Sequence, residues 1–328
     1  MVKLKISLLA LASGAVVLGG LAACSPLQTL NALSPGRDLR AKAGVPYGAN
    51  ARHKLDVYTP ANAAAPAPVI VFFYGGNWVR GERGDYAFVG RALASRGFVV
   101  VIPDYRLYPE VRYPDFLDDA AHAVAWTARE IASLGGDPKQ LYVMGHSAGA
   151  YNAAMVALDG SYLAKAGMQP SALRGWIGMA GPYDFLPIEN PTTRPVFHFP
   201  DTPPGSQPVR HVGKGAPPAL LIAANKDKLV NPKRNTGSLA DKLRANGVPV
   251  RERYYDWVNH VTLVATLATP LSALAPSLDD IEHFIRSDAG RDSTAAASSA
   301  AASSTPAPSA ALPSTARPST ALPSAAAP

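Results

Sequence analysis

Short apolar runs alternate with longer stretches of helical periodicity between about residues 47 and 285, and this alternation limits the folds open to the chain. Each run is rich in Val, Ile and aromatic residues and is bounded by turn residues, as buried parallel strands are. The sequence therefore predicts an α/β fold, with helices on both faces of a mostly parallel sheet. The predicted strands are "HKLDVYTP", near the sheet edge, then "PVIVFFY", "FVVVIPDY", "QLYVMGH", "GWIGMAG", "PALLIAAN" and "VPVRERYYD".

Helices are predicted between and after these strands, and glycine follows several of their ends as a C-terminal stop. They span residues 86–96, 114–133, 148–158, 236–245 and 277–286. The stretch from 182 to 218 is instead dense in proline and has no clear period. A segment of this kind is either a loop that borders a site or a structural connection. No insertion is large enough for a full cap domain, so we expect a fairly open pocket.

The first 24 residues have the pattern of a bacterial export signal. Lys3 and Lys5 precede an apolar run that is too short to favour a membrane span. The tetrapeptide "LAAC" at residues 21–24 resembles the lipobox of bacterial lipoproteins, in which the cysteine carries the acyl chains. An ordinary secretory signal with a cysteine beside its cleavage site is the alternative. Cys24 is the only cysteine, so no disulfide can form within the chain.

Lipidation of Cys24 would tether the mature protein to a membrane without spanning it. In the lipoprotein resemblance, Ser25 after the cysteine implies an outer-membrane protein of the bacterial cell envelope that faces the periplasm. Residues 288–328 are almost entirely Ala, Ser, Thr and Pro, too few apolar groups to offset the entropy of ordering. The predicted organisation is a signal peptide (1–23), a linker (24–44), a catalytic domain (45–287) and a disordered tail (288–328).

The charge distribution argues against nucleic acid as a partner. The formal net charge is +7, but the basic residues are scattered and form no stripe interleaved with aromatic residues. A mild affinity for anionic surfaces is the alternative. The sequence leaves protein partners open.

A candidate nucleophile lies in "LYVMGHSAGAYNAAMVAL". Residues 145–149 read G-H-S-A-G and stand between a predicted strand and a predicted helix. A nucleophile elbow requires this context, because the sharp strand-to-helix turn exposes the serine hydroxyl. Ser147 is therefore predicted as the nucleophile, with a glycine-rich turn and a serine cap as the alternative. His146 is left out of the catalytic set, because adjacent residues at such a turn point apart.

The base and the acid are predicted from chain order. A serine hydroxyl needs a base within hydrogen-bond reach, and the base needs a carboxylate that orients it. After an elbow of this type the acid precedes the histidine. His260 is the candidate base because it lies between the last strand and a helix, whereas the other later histidines lie in the proline-rich segment or inside the last helix. Asp227, directly after a buried strand, is the candidate acid, and Asp256 is the alternative.

With Ser147, Asp227 and His260 in this order, the chain resembles the α/β-hydrolase superfamily over about residues 47–285. The closest likeness is to serine carboxylesterases with an H-G-G-x-W motif. That group contains bacterial feruloyl and acetylxylan-type esterases, kynurenine formamidases and prenylcysteine methylesterases. The matching stretches are "KLDVYTP", "YGGNW", "PDYRLYPE", "GGDPKQLYVMGHSAGA" and "VNHVTLV".

This resemblance implies hydrolysis of a small or medium acyl ester through an acyl-enzyme on Ser147, with no metal or organic cofactor. It also implies an oxyanion hole formed by the backbone N–H groups of Gly76, Asn77 and Ala148, which would stabilise the developing negative charge. Tyr74 stands where the family usually has histidine, so its hydroxyl is the group available to brace this loop.

Other residues of the matching stretches are expected to support the same loop. Trp78 is expected to pack beneath it, with substrate stacking as the alternative. Asp104 and Arg106 are expected to pin it by an ion pair. Two other functions stay open: an amidase of the arylformamidase type, which would use the same catalytic residues, and a non-catalytic envelope-binding module.

Overall fold

An eight-stranded sheet forms the centre of the computed structural model, which describes residues 26–34, 36, 38–62 and 66–287. Its order is β1-β2-β4-β3-β5-β6-β7-β8. β2 pairs antiparallel with β1 and β4, and all other neighbours are parallel, which confirms the predicted mostly parallel sheet. The strands are β1 (Leu39–Pro46), β2 (Lys54–Pro60), β3 (Ala67–Phe73), β4 (Val99–Pro103), β5 (Gly136–His146), β6 (Leu173–Met179), β7 (Ala219–Ala224) and β8 (Val250–Tyr255).

Helices connect the parallel strands, and most of them lie close to where the sequence predicts them, whereas Pro26–Leu33 and Gly160–Lys165 are not predicted. Residues 182–218 contain only short 3-10 turns. The helices are α1 (Pro26–Leu33), α2 (Ala87–Ser95), α3 (Asp115–Glu130), α4 (Ala148–Leu158), α5 (Gly160–Lys165), α6 (Ser238–Ala245), α7 (His260–Ala265) and α8 (277–287).

The central strands carry unbroken apolar runs because both of their faces are covered. All five residues of β4 and all six of β7 are buried. β8, at the edge, is only partly buried. Two of its residues bind α8 instead: Arg253 Nε lies 2.8 Å from Asp280 Oδ1, and the hydroxyl of Tyr255 donates to the same carboxylate. These contacts help to cover the edge of the sheet.

The first turn of α4 packs directly against the end of β3. A Cβ atom added at Gly149 would lie 2.0 Å from the carbonyl oxygen of Phe73, and one added at Gly145 would lie 2.1 Å from the carbonyl oxygen of Gly149. Only glycine permits such an approach of two backbones. Because Ser147 joins β5 to α4, this contact holds it beside the end of β3.

Residues 26–34 and 39–44 belong to the folded domain rather than to the linker predicted for residues 24–44. Leu27 and Leu30 of α1 pack against the core. Asn31 holds the helix in place: its Nδ2 donates to the carbonyl oxygen of Gly84 and its Oδ1 accepts from the N–H of Phe88, both at 2.8 Å. β1 forms the sheet edge, one strand beyond β2.

The predicted signal peptide (1–23), the predicted lipidation site Cys24 and the predicted tail (288–328) lie outside the described residues. Within the part of the chain that the structure describes, no helix has the length and apolar character needed to cross a membrane.

Candidate active site

Ser147 occupies the sharp turn between β5 and α4. Its φ of 55° and ψ of −121° lie outside the regions that non-glycine residues usually adopt. Its N–H donates to the carbonyl oxygen of Met179 at 2.9 Å, at the end of β6, and its carbonyl oxygen accepts from the N–H of Tyr151 at 3.1 Å. Hydrogen bonds on both sides thus hold the strained turn, and the serine stands at the carboxyl end of the sheet.

The three residues predicted as nucleophile, base and acid form a continuous hydrogen-bonded chain. Nε2 of His260 lies 2.7 Å from Oγ of Ser147, and Nδ1 lies 2.7 Å from Oδ2 of Asp227. Both distances are within hydrogen-bond range. The alternative acid, Asp256, instead accepts a hydrogen bond from Nδ2 of Asn225 at 2.8 Å. The structure brings Ser147, His260 and Asp227 together and pairs Asp256 elsewhere.

Both oxygens of the Asp227 carboxylate have donors. Oδ2 faces His260, and Oδ1 accepts from the backbone N–H groups of Leu229 at 2.8 Å and Val230 at 2.9 Å. Burial alone would raise the pKa of Asp227, but the hydrogen bond and charge of His260 and the two amides outweigh it, so the pKa lies below its usual value. An ionised carboxylate at this place orients the imidazole with Nδ1 as donor, which leaves Nε2 facing the serine.

The base is the first residue of α7, and its helix start is well fixed. Asn259 caps the helix: its Oδ1 accepts from the N–H groups of Val261 and Thr262, and its own N–H donates to Oγ1 of Thr262 at 2.8 Å. This reciprocal arrangement is a capping box. The cap fixes the start of α7 and thereby the direction in which the side chain of His260 projects.

His146 supports the base, a role that the sequence did not predict. Its Nε2 lies 2.8 Å from the carbonyl oxygen of His260. A carbonyl only accepts, so Nε2 carries the proton. Burial, followed by the charge of His260, lowers the pKa of His146 to about 3, so the imidazole is neutral near pH 7. No local pattern signals this contact, because the two residues are distant in sequence.

The loop after β3 forms a tight turn with unusual backbone angles. The carbonyl oxygen of Gly76 accepts from the N–H groups of Val79 at 3.1 Å and Arg80 at 3.2 Å. Gly76 has φ of 134°, and an added Cβ would lie 2.1 Å from the carbonyl oxygen of Arg80, so this position requires glycine. Asn77 and Trp78 also have positive φ, 55° and 59°.

This loop passes close to the nucleophile turn. A Cβ added at Gly75 would lie 3.1 Å from Cβ of Ser147. Among the described residues, no backbone carbonyl accepts from the N–H groups of Gly76 or Asn77. The N–H of Ala148 opens α4 and so has no partner within the helix. The three amides predicted for an oxyanion hole are therefore available on the loop and turn that meet at Ser147.

Tyr74 is fully buried in a network that braces the loop. Its hydroxyl donates to Oδ1 of Asp104 and accepts from the guanidinium of Arg52, both at 2.9 Å. Its ring stacks on Tyr105, with centroids 4.8 Å apart, and the hydroxyl of Tyr105 donates to the carbonyl oxygen of Tyr74 at 2.8 Å. Burial raises the pKa of Tyr74 well above its usual value, so the hydroxyl stays a donor. The hydroxyl thus provides the bracing contacts.

Contrary to the prediction, Asp104 and Arg106 do not form an ion pair with each other. Asp104 binds Arg83, whose backbone N–H lies 2.7 Å from Oδ1 and whose guanidinium contacts Oδ2. Arg106 instead binds both oxygens of Asp119, at 2.8 and 2.7 Å. After β4 ends, the two side chains leave towards different neighbours. An ion pair does pin the loop, but the cation comes from Arg83, which follows the loop.

Trp78 packs beneath the loop, as predicted. It is buried, and its Nε1 donates to Oδ1 of Asn152 at 2.9 Å. Its ring makes edge-to-face contacts with Tyr151, at 5.1 Å between centroids, and with Phe197, at 4.8 Å. Phe197 comes from the proline-rich segment 182–218, which therefore packs against the loop and α4.

Chemically, the arrangement joins a hydroxyl, an imidazole and an ionised carboxylate beside free amide donors. Such a group can activate the hydroxyl as a nucleophile and stabilise an oxyanion. In the described ranges, no set of three or more His, Cys, Asp or Glu side chains is placed to hold a metal ion.

Comparison with known proteins finds esterase relatives. Residues 55–243, more than half of the chain, match the BD-FAE family. A rice protein named probable isoprenylcysteine alpha-carbonyl methylesterase ICME is 37% identical over 148 residues, which are 44% of this chain and 35% of that protein. Esterase LipC of Mycobacterium tuberculosis is 30% identical over 219 residues, 61% of this chain and 54% of that protein. The chain thus spans about a third to a half of these relatives.

Solved structures share the fold. Esterase B from Lactobacillus rhamnosis, in a complex with an inhibitor, has a TM-score of 0.69 and 20% identity. The match covers 87% of this chain and 98% of that one. The likeness shows that the chain has the α/β-hydrolase fold.

The buried His146 predicts a measurable pH dependence of stability. Below the ordinary histidine pKa of about 6.5, the unfolded chain binds a proton that the folded imidazole accepts only near pH 3. Folding stability should therefore fall as the pH drops through this window. His146→Gln keeps an N–H donor for the His260 carbonyl but does not titrate. Relative to this variant, the wild type should lose about 1.4 kcal/mol of unfolding free energy per pH unit.

Urea unfolding of both proteins at about pH 7 and about pH 5 measures the difference. His146→Ala is the control, since it lacks both the titrating ring and the donor; it should be less stable than His146→Gln at both pH values. A gap between wild type and His146→Gln that is the same at both pH values would contradict the buried neutral imidazole.

Proposed function

The chain belongs to the BD-FAE family and has the α/β-hydrolase fold, and from this premise we propose that it is a serine carboxylesterase. The observation that carries the proposal is the pair of 2.7 Å contacts that His260 makes with Ser147 and Asp227. A non-catalytic envelope-binding module would not need these three side chains in contact.

In the proposed reaction, Oγ of Ser147 attacks the carbonyl carbon of the ester while its proton passes to Nε2 of His260. The bond between the acyl carbon and the alcohol oxygen then breaks, and His260 returns the proton to the departing alcohol. Water next attacks the acyl-enzyme and gives a proton to His260, which restores it to Oγ as the acid leaves. Asp227 stays ionised throughout, in keeping with its lowered pKa, and stabilises the imidazolium.

The negative oxygen formed at each attack needs donors that are already in place. The N–H groups of Gly76, Asn77 and Ala148 are the proposed donors, and each donor of this kind typically contributes about 3 to 4 kcal/mol to transition-state stability. The hydrogen bonds that Asp104 makes with Tyr74 and Arg83 support this role. They hold the loop in place before the reaction, so the donors need not move when the charge develops.

The proposed substrates are small or medium acyl esters. The proline-rich segment 182–218 forms short turns rather than an inserted domain, which supports an open approach to Ser147. The rice relative is named as a methylesterase, so methyl esters belong in the first substrate panel.

The proposed location is the bacterial cell envelope, with a lipid anchor on Cys24 in the outer membrane and the catalytic domain facing the periplasm. The support is the basic, apolar and small-residue order of the first 24 residues, and the single cysteine at its end.

Labelling with a fluorophosphonate probe tests the nucleophile. We expect one covalent adduct on Ser147, located by peptide mass spectrometry, and none in Ser147→Ala. Asp227→Asn should react about 10⁴-fold more slowly, since an amide leaves the imidazole in the wrong tautomer. Asp256→Asn is the matched control and should react like the wild type. The mechanism is wrong if folded wild type is not labelled, and the acid is misassigned if Asp256→Asn is the slower variant.

Substrate preference separates an esterase from an arylformamidase. We expect faster turnover of p-nitrophenyl acetate than of N-formylkynurenine, because p-nitrophenolate leaves without a proton whereas an amide nitrogen must be protonated by His260. Initial rates at equal enzyme concentration measure the ratio. A higher kcat/KM for the formamide would favour the amidase.

Cys24→Ser tests the anchor. Without the thiol no acyl chain can attach, so the protein should move from the membrane fraction to the soluble periplasmic fraction. Immunoblots of fractionated cells measure this, and Ser25→Ala serves as the control that should stay in the membrane fraction. The membranes are washed with high salt before blotting, which weakens peripheral charge contacts. Association of Cys24→Ser that survives this wash would argue against lipidation at this residue.

A further inference from the structure

Three large apolar side chains are strongly exposed on the two loops that carry Asp227 and His260. Trp257 is 81% exposed, Leu229 72% and Val261 60%, more than any other large apolar residue among those described. We call these three residues the apolar rim. Exposed apolar side chains that share one region mark interaction sites more often than single scattered ones do.

The rim is held by an ordered backbone. The N–H of Leu229 is bound to Oδ1 of Asp227, and the N–H of Val261 is bound by the helix cap. Nδ2 of Asn225 donates to Oδ1 of Asp256 at 2.8 Å and joins the two loops. The exposed side chains are therefore presented by fixed loops.

Positive charge accompanies the rim. Nζ of Lys226 lies 5.7 Å from the ring centroid of Trp257, and Lys228 is also exposed. Of the two carboxylates in these segments, that of Asp227 is buried against His260, whereas that of Asp256 is exposed and bonded to the neutral amide of Asn225. The two lysines therefore outnumber the one exposed carboxylate. Tryptophan with neighbouring lysines suits a membrane interface, since the ring enters the headgroup layer and the ammonium groups meet anionic lipid.

The described chain starts at α1, which packs against the folded domain. α1 begins directly after residues 1–25 and contacts the 3-10 turn Arg83–Tyr86, which follows the loop after β3. It also contacts the 3-10 turn Thr269–Leu274, which follows α7. The anchor proposed on Cys24 would therefore keep the folded domain within reach of a bilayer.

We propose that the apolar rim docks into the surface of a lipid bilayer that contains anionic lipid, so that the site faces the membrane. Docking buries Trp257, Leu229 and Val261 among the headgroups while Lys226 and Lys228 pair with lipid phosphates. This contact is separate from the proposed anchor on Cys24 and does not depend on the ester chemistry.

Tryptophan fluorescence of the full chain reports docking locally. The four tryptophans all lie in described residues: Trp78 and Trp176 are buried, Trp126 is partly buried, and only Trp257 is strongly exposed. We expect vesicles of phosphatidylcholine with phosphatidylglycerol to shift the emission to the blue and to protect it from acrylamide. Trp257→Phe should abolish the shift, because the phenylalanine ring can still dock but gives no tryptophan emission. Because the shift requires burial of the Trp257 side chain, attachment of the N-terminus to a membrane would not by itself produce it.

Variants separate the two parts of the surface. Lys226→Gln with Lys228→Gln should raise the anionic lipid concentration at half-shift by about fivefold per lysine, and added salt should do the same to the wild type. Leu229→Ser with Val261→Ser should raise it by about tenfold or more. Phe199→Ser is the matched control: Phe199 is also exposed under a cation, Arg194, at 4.6 Å, but lies outside the rim, so the half-shift should not move.

Three results would overturn the proposal. The first is no shift with anionic vesicles. The second is a blue shift that grows with protein concentration without lipid, which would assign the rim to a second copy of the chain. The third is a loss of soluble p-nitrophenyl acetate turnover in Trp257→Ser that matches its loss of cosedimentation with vesicles, which would assign the rim to the substrate pocket.

Discussion

The contact between the first turn of α4 and the end of β3 sets the distances on which the site depends. At Gly149 the helix backbone lies so close to the carbonyl of Phe73 that even one added carbon would collide with it. Ser147, two residues earlier, is therefore held beside the loop that follows β3. If the helix packed at an ordinary side-chain distance, this loop, which carries the amides proposed for the oxyanion hole, would lie farther from the serine.

That proximity is useful only if the loop keeps its shape, and its positive φ values at Asn77 and Trp78 have to be maintained by neighbours. The carboxylate of Asp104 does this by binding Arg83 on one side and the hydroxyl of Tyr74 on the other. Tyrosine suits this place because a buried hydroxyl donates and accepts without changing charge near neutral pH. A histidine there could titrate in the physiological range, so the brace built on Tyr74 should be less sensitive to pH.

Most of the sheet could be predicted because burial on both faces leaves an unbroken apolar run in each central strand. β1 and α1 were not predicted because neither gives a clear hydrophobic pattern. The strand "LRAKAGVP" is largely polar and exposed, and α1, with eight residues, is too short to show a helical period. Ser147, Asp227 and His260 could be found because each follows a strand at the same end of the sheet. The contacts of His146 with His260 and of Arg83 with Asp104 could not, since they join residues brought together only by the fold.

The exposure of the apolar rim follows in part from the placement of the base. Val258 and His260 point inward, 4% and 8% exposed, whereas Trp257, which precedes them, and Val261, the second residue of α7, point outward. Geometry thus requires outward positions beside His260, but it does not require apolar residues there. Serine or lysine would leave less apolar surface in water. The argument for docking therefore rests on the residue types at these positions, and on the lysines beside them, rather than on exposure alone.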